Sequence, residues 1–246
     1  MSERRFGLLG KHISYSFSKK YFTEQFALGN LVDCTYENFD IESIELFPEV
    51  LAQHPDLRGL NVTIPYKEAV IPYLSKLSKS AAQIGAVNVI RFTATGKLKG
   101  YNSDYFGFMK TLKPLLQDHH KKALILGTGG AAKAVAFALD RMGILCTYVS
   151  RETKEGMIDY DRINATTFEQ YHIIINCTPV GTSPNTGAYP PLPYSYFTEK
   201  HLAYDLIYNP EETQFLKKAK AQGAVIKNGY DMLVFQAEKA WKIWNK

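Results

Sequence analysis

Cysteine is scarce in this chain of 246 residues: there are three, Cys34, Cys146 and Cys177, far apart and outside any C-x-x-C pattern. So few and so scattered, they exclude a disulfide framework and a thiolate zinc site, and no metal site is expected. Cys146 and Cys177 lie in apolar runs, the usual place of a buried free thiol. Long hydrophobic runs are also missing, since none reaches the roughly 20 residues that span a bilayer. The opening stretch MSERRFGLLG lacks the apolar segment and small-residue cleavage site of a secretory signal. A cytoplasmic protein with no membrane partner is the expectation. The net charge of +5 favours anionic partners in general. Its basic residues come as short pairs such as Lys121–Lys122 and Lys217–Lys218, without aromatic interleaving, so a nucleic-acid face is not expected either. Internal repeats and low-complexity segments are absent.

What the chain does have is the stretch 123–134, ALILGTGGAAKA. Ala123, Leu124, Ile125 and Leu126 are a continuous apolar run, as in a parallel strand buried on both faces. Gly127, Gly129 and Gly130 permit a tight turn, and Ala131, Ala132 and Ala134 let the next helix pack closely on the strand. The unpaired N–H groups of that helix suit a pyrophosphate. The spacing G-x-G-G-A falls short of G-x-G-x-x-G, so on the motif alone an ordinary strand-to-helix turn stays open. A second apolar run, 144–149, ends in Ser150 and Arg151, where an NAD-preferring fold places an acid. Arg151 offers a planar fork for a 2′-phosphate, with Ser150, Thr153 and Lys154 nearby, so NADP is the predicted cofactor. A solvated surface arginine is the plainer alternative.

Around that stretch the chain alternates. Residues 6–9, 34–39, 57–64 and 86–92 read as strands, and 19–28, 41–53 and 69–78 as helices, with a Thr95–Gly96 turn leading to 98–100. This predicts an α/β fold whose first domain is 1–104. Helical spacing at 105–116 opens a second domain, 105–230, with further strands at 172–177, 202–207 and 224–226 and a helix at 211–221. The segment 152–167 is too polar and irregular to assign. Residues 178–193 carry Pro179, Gly181, Pro184, Gly187, Pro190, Pro191 and Pro193 and read as a loop. An amphipathic helix at 230–244 offers Leu233, Ala237, Ala240, Trp241 and Trp244 for burial, and 231–246 is expected to return to the first domain.

Four polar clusters precede or border the glycine stretch. Ser14 and Ser16, two apart in extended chain, point the same way and suit one carboxylate, though serine pairs are common in loops. In NVTIPYK a strand ends at Pro65 and delivers Lys67, which is either a surface lysine or, partly desolvated, a proton-transfer group. In GAVN, Asn88 reads as a turn residue or a ligand. In GYNSD, Ser103 or Asp104 equally caps the next helix. A carbonyl reduced by hydride needs a proton donor and a group that orients it, and this set before a dinucleotide fold fits a polyhydroxylated acid.

NVTIPYK, GAVNV, GYNSDYFGF, LGTGGAAKA, INCTPVGT, YDLIYNPEETQFL and NGYDMLVFQAEKAW stand in the order seen in shikimate dehydrogenases, and the chain resembles that family over nearly its whole length. The resemblance implies an N-terminal α/β substrate domain, a Rossmann-like NADP-binding domain and a C-terminal helix returning to the first domain. It implies reversible NADPH-dependent reduction of 3-dehydroshikimate to shikimate, with Lys67 as catalytic acid/base and Asp104 as its partner. Ser14 and Ser16 then hold the substrate carboxylate, Thr63, Asn88, Asp104 and Gln236 the ring hydroxyls, and Tyr208 lines the cleft. Gly127, Gly129, Gly130 and Ala131 would hold the pyrophosphate, Ser150, Arg151 and Thr153 the 2′-phosphate side, with Gly229, like Tyr208, lining the cleft on the cofactor's side and Met232 near the nicotinamide. Ile13 and Phe17 stand where the family usually has histidine and proline, and Ser150 replaces a commoner asparagine. The family fits a monomer or a homodimer. A quinate/shikimate paralogue and a non-catalytic dinucleotide sensor are the rival readings.

Overall fold

The apolar runs of the first hundred residues pair into one sheet. The computed structural model describes residues 3–14, 16–152 and 154–246. The chain leaves β1 (Arg4–Gly10) for α1 (Phe17–Leu28), whose first turn is capped by Ser16, and returns as β2 (Cys34–Asp40). Then follow α2 (Phe47–Gln53), β3 (Leu57–Val62), the single-turn α3 (Tyr66–Ala69), β4 (Lys76–Leu77), α4 (Lys79–Ile84), β5 (Val89–Phe92) and β6 (Leu98–Tyr101). The order across the sheet is β2-β1-β3-β5-β6-β4. β1 runs parallel to β2 and β3, whereas β5 is antiparallel to both its neighbours.

Two helices expected here are different. The helix foreseen at 41–53 begins six residues later as α-helix, after a 3-10 turn at Ile44–Leu46, because Ile41 still donates to the carbonyl of Gly10 and Pro48 favours a helix start. The helix foreseen at 69–78 does not form. Pro72 lacks the N–H needed to continue α3, a 3-10 turn covers Ile71–Tyr73, and Ser78 caps a new helix by accepting from Ala81 N at 3.2 Å. The strands foreseen at 57–64 and 86–92 are shorter, Leu57–Val62 and Val89–Phe92.

The second sheet is wholly parallel. α5 (Asp104–Leu112) leads to β7 (Lys122–Leu126), α6 (Gly130–Arg141), β8 (Leu145–Val149), β9 (Met157–Ile158), α7 (Ala165–Gln170), β10 (Ile173–Asn176), β11 (Leu202–Asp205), α8 (Gln214–Lys220), β12 (Val225–Lys227) and α9 (Tyr230–Trp244). The order is β12-β11-β10-β7-β8-β9, the doubly wound arrangement whose direction of growth switches between β7 and β10. Between 152 and 167, left unassigned from sequence, lie β9, a 3-10 turn at Tyr160–Arg162 and the start of α7. Residues 178–193 hold no helix or strand.

By contacts the chain forms two compact units, Met1–Ser103 with Ala237–Lys246, and Asp104–Gln236. The first contains the last part of α9. Ala237, Ala240, Ile243 and Trp244 share a buried cluster with Phe6, Phe22, Phe26 and Tyr36. Trp244 stacks on Phe6 at 5.0 Å, donates from Nε1 to the carbonyl of Ile90 at 3.0 Å, and fills the space a side chain at Gly59 would need. Removing a core side chain of this size costs about 3–5 kcal/mol. The second unit has apolar clusters on both faces of its sheet, one including Phe108, Ile125 and Tyr204, the other Leu124, Ile174 and Phe215.

At the N-terminal end of the second sheet, His120, His172 and His201 immediately precede or nearly precede β7, β10 and β11. His119 packs tilted against His120 and edge-on against His172, and His172 lies tilted against His201, at 4.4, 5.1 and 5.4 Å between ring centres. Burial lowers the pKa of His120, His172 and His201. Among the described residues no group of three or more His, Cys, Asp or Glu is arranged to hold a metal ion.

Candidate functional site

The opposite end of the second sheet carries the glycine turn. Leu126 ends β7, and Gly127 turns the chain with φ 100°, a conformation that favours glycine. A side chain at Gly127 would also meet Thr178 Cγ2 at 3.0 Å. Gly129 is the N-cap of α6 and caps it with no side chain, and the space beside it is open. The first N–H groups of this twelve-residue helix are therefore presented to an anion by exposed backbone, with Gly130 and Ala131 in its first turn and Ala132 and Ala134 buried beneath. The turn stands at the switch point: Leu126 and Asn176 are register partners, and Cys177 N donates to Leu126 O at 2.9 Å.

β8 runs beside β7 and ends at Val149, the partner of Leu126. The next two residues are Ser150 and Arg151. Ser150 accepts from Glu152 N at 3.2 Å, and Arg151 is exposed, its charge acting on the Tyr160 phenol. Thr153 lies outside the described residues. At the end of β11, Tyr208 is about one-third exposed, and burial raises its phenol pKa. Gly229 has the carbonyl of Leu206 where a Cβ would sit, so only glycine fits. Met232 and Gln236 are both buried on α9, Gln236 donating to Leu233 O at 2.9 Å, and Asp104 is buried at the start of α5. The fit to a dinucleotide phosphate is thus a matter of uncapped helix N–H groups, open space beside Gly129, and an exposed guanidinium one strand away.

In the first unit five expected residues emerge at one end of the sheet. Ser14 and Ser16 follow β1, whose C-terminal segment is fastened by Asp40: its carboxylate accepts from His12 N at 2.8 Å and Ile13 N at 3.1 Å. Ser16 Oγ accepts from Lys19 N at 3.3 Å, so it is a helix cap that keeps its hydroxyl proton for donation. Thr63 and Lys67 follow β3. Thr63 N donates to Leu9 O, and Gly10 leaves the room that Thr63 Cγ2 occupies. A cis Ile64–Pro65 bond leads into α3, where Lys67 is half-buried and its carbonyl accepts from Val87 N at 2.7 Å. Asn88 lies just before β5, its carbonyl accepting from Val62 N.

Asn88 is 3% exposed and heavily engaged. Its Oδ1 accepts from Ser103 N at 2.6 Å and its Nδ2 donates to Ser103 Oγ at 3.0 Å. On its other side Asn61 Nδ2 donates to Asn88 O, and Tyr36, whose phenol burial pushes well above its usual range, donates to Asn61 Oδ1 at 2.8 Å. This buried polar row ends at the residue before Asp104.

Sequence reasoning missed a second polar network, in the second unit. Asp205, at the end of β11, is fully buried, and its carboxylate accepts from Asn176 Nδ2 at 3.0 Å, Ile207 N at 3.0 Å and Thr213 Oγ1 at 2.6 Å. The available signal was an asparagine and an aspartate each closing an apolar strand.

Residues 8–90 match the family profile described as the shikimate dehydrogenase substrate binding domain. A shikimate dehydrogenase (NADP(+)) of Methanosphaera stadtmanae is 36% identical, the match covering 97% of this chain and 90% of the relative. A crystal structure of a shikimate dehydrogenase in complex with NADP+ gives a TM-score of 0.89 at 32% identity, covering 98% of this chain and 90% of that one. The enzyme of Thermus thermophilus, crystallised in complex with NADP(H) and shikimate, gives a TM-score of 0.84 at 33% identity, covering 98% and 93%.

Proposed function

This chain belongs to the shikimate dehydrogenase family, and from that premise we infer that it catalyses the reversible NADPH-dependent reduction of 3-dehydroshikimate to shikimate. The observation that carries the reading is the uncapped glycine turn at the switch point with Arg151 one strand away, in a chain whose other unit gathers Ser14, Ser16, Thr63, Lys67 and Asn88 at one sheet end. We read 1–104 with 231–246 as the substrate-binding part and 105–230 as the NADP-binding part, acting in the cytoplasm as a monomer or homodimer.

The dinucleotide, when bound, supplies a hydride to the carbonyl carbon. The oxygen then gathers negative charge, and Lys67 delivers the proton that neutralises it, with Asp104 as its partner. Ser14 and Ser16 donate hydroxyl protons to the substrate carboxylate, Ser16 while still capping α1. Thr63, Asn88, Asp104 and Gln236 hold ring hydroxyls, and with Oδ1 given to Ser103 the Asn88 carboxamide serves as a donor. Tyr208 binds the substrate as well. Backbone N–H groups at Gly129, Gly130 and Ala131 hold the pyrophosphate, Gly127 serving through the turn it makes, since its own N–H is given to Val149 O at 3.0 Å. Ser150, Arg151 and Thr153 hold the 2′-phosphate, and Gly229 and Met232 serve the cofactor, Met232 near the nicotinamide.

The test is loss of reduced-nicotinamide absorbance with 3-dehydroshikimate, in parallel with NADPH and NADH, on the protein and on Lys67→Ala. Rapid oxidation of NADPH, with kcat reduced by about 10²-fold or more in the variant and KM nearly unchanged, is the expected result. A folded protein that binds NADPH but oxidises it with neither 3-dehydroshikimate nor 3-dehydroquinate would remove the dehydrogenase reading.

A further inference from the structure

Asp205 presents a physical puzzle. A fully buried carboxylate is held by three neutral donors, an amide, a backbone N–H and a hydroxyl, which is an expensive way to build the end of a strand. One of its partners, Asn176, is also fully buried and lies on the neighbouring strand, where it pairs in register with Asp205.

The other half of the Asn176 carboxamide explains the arrangement. Its Oδ1 accepts from both Thr178 N at 3.0 Å and Thr178 Oγ1 at 2.6 Å, and its Nδ2 reaches Val180 O at 3.4 Å. Thr178 Oγ1 in turn accepts from Val180 N at 3.3 Å. A carboxylate can only accept, so it forces the nitrogen of Asn176 toward itself and the oxygen toward Thr178. A neutral partner in place of Asp205 would allow the amide to flip, and the flipped amide offers Thr178 N nothing to bond. Thr178 Cγ2 occupies the space beside Gly127 in the glycine turn.

We propose that Asp205 is a positioning residue for cofactor binding: acting through Asn176, it fixes residues 177–180 against the glycine turn that ends β7. This rests on the NADP reading above. The groups that face Asp205 are Asn176 from β10, Ile207 N beyond β11, Thr213 at the N-cap of α8, and the Tyr194 phenol, whose ionisation the carboxylate opposes. Burial raises the Asp205 carboxyl to about 6 against the pull of its three donors, so its charge, and with it the sense of Asn176, changes within an accessible range.

Asp205→Asn, Asn176→Ala, their double variant and Thr213→Val test the idea with two readouts. Amide hydrogen exchange at Thr178 and Val180, measured without cofactor, is expected to quicken about tenfold in Asp205→Asn. NADPH affinity, by fluorescence titration, is expected to be about tenfold lower in that variant at about pH 8, with the ratio to the parent shrinking toward one as pH falls through 6. The 2′-phosphate titrates in every variant and cancels in the ratio. Thr213→Val, which keeps Asp205 but removes one donor to its carboxylate, is expected to move that convergence to higher pH, a shift that loss of packing would not produce. The single variants are expected to be non-additive in the double.

Exchange and affinity unchanged in folded Asp205→Asn would overturn the proposal, as would strict additivity. Failure of the parent protein to bind NADPH counts against the proposed function instead, while the exchange measurement still decides whether Asp205 holds the loop.

Discussion

On the proposed reading, the choice of cofactor rests on one exposed side chain just beyond β8, Arg151. Its five donors fit a phosphate monoester, and a charge-assisted contact of that kind is worth about 1.5–3 kcal/mol. Arg151→Ala is therefore expected to raise the KM for NADPH about tenfold or more, with kcat and the KM for NADH little altered. Steady-state kinetics with both cofactors check it, and an equal loss with NADH would show that the arginine serves the fold or the pyrophosphate. The place of Arg151 just after β8 was legible because it is defined locally, by the end of an apolar run at a fixed distance from the glycines. Asp205 was not. Its partners Asn176 and Thr213 lie 29 and eight residues away, and nothing in the local pattern separates a buried carboxylate from a turn residue. The same limit applied to Ser16: spacing suggested paired hydroxyls, and only the structure shows its Oγ capping α1.

Elements repeated this lesson. The glycine turn and α6 follow from glycine and alanine at fixed offsets, and both are where the sequence put them. The final helix, 230–244, also matched because its apolar stripe is long. By contrast α7 is six residues in a polar segment, too short for periodicity, and is specified by its start. Asn164 Oδ1 accepts from Thr167 N at 3.1 Å while Thr167 Oγ1 accepts from Asn164 N, a reciprocal capping box. Asn164→Ala is expected to cost about 1 kcal/mol of stability, read as a lower urea midpoint with unchanged slope. No loss would mean that burial of Phe168 alone holds the helix. The failed helix at 69–78 has the inverse cause: apolar spacing favoured it, and Pro72 with the Ser78 cap divided it into a turn, a two-residue strand and a new helix.

For the whole molecule, acid should act unevenly. His120, His172 and His201 have folded pKa values below the ordinary 6.5, chiefly through burial, with Lys200 adding to the effect at His172 and Glu199 opposing it at His201. The unfolded chain then binds protons first, so the second unit loses stability as pH falls through about 6.5. Asp205 has the opposite sign and a large shift, its folded pKa being raised to about 6, so it offsets the histidines, and their effect is to be read in the Asp205→Asn background. In the first unit Asp33 and Asp56 are held below the usual carboxylate range by Arg4 and Arg5, and that contribution persists until about pH 4. Both tryptophans, Trp241 and Trp244, belong to the first unit. Lowering the pH from about 7.5 to about 5 in Asp205→Asn should therefore move the urea-induced loss of circular dichroism ahead relative to the tryptophan signal, with His172→Gln reducing the shift; no relative shift would refute this. The placement of Trp244 has one more consequence, for the order of events on the ribosome. The second unit is a single uninterrupted stretch, 104–236, whereas the first needs Trp244 beside Phe6 and Ile90. Synthesis delivers the first unit's strands early and its last helix late. The part of the protein that is made first must wait, with the floor of its core open, until the part made second has already had its whole sequence in hand.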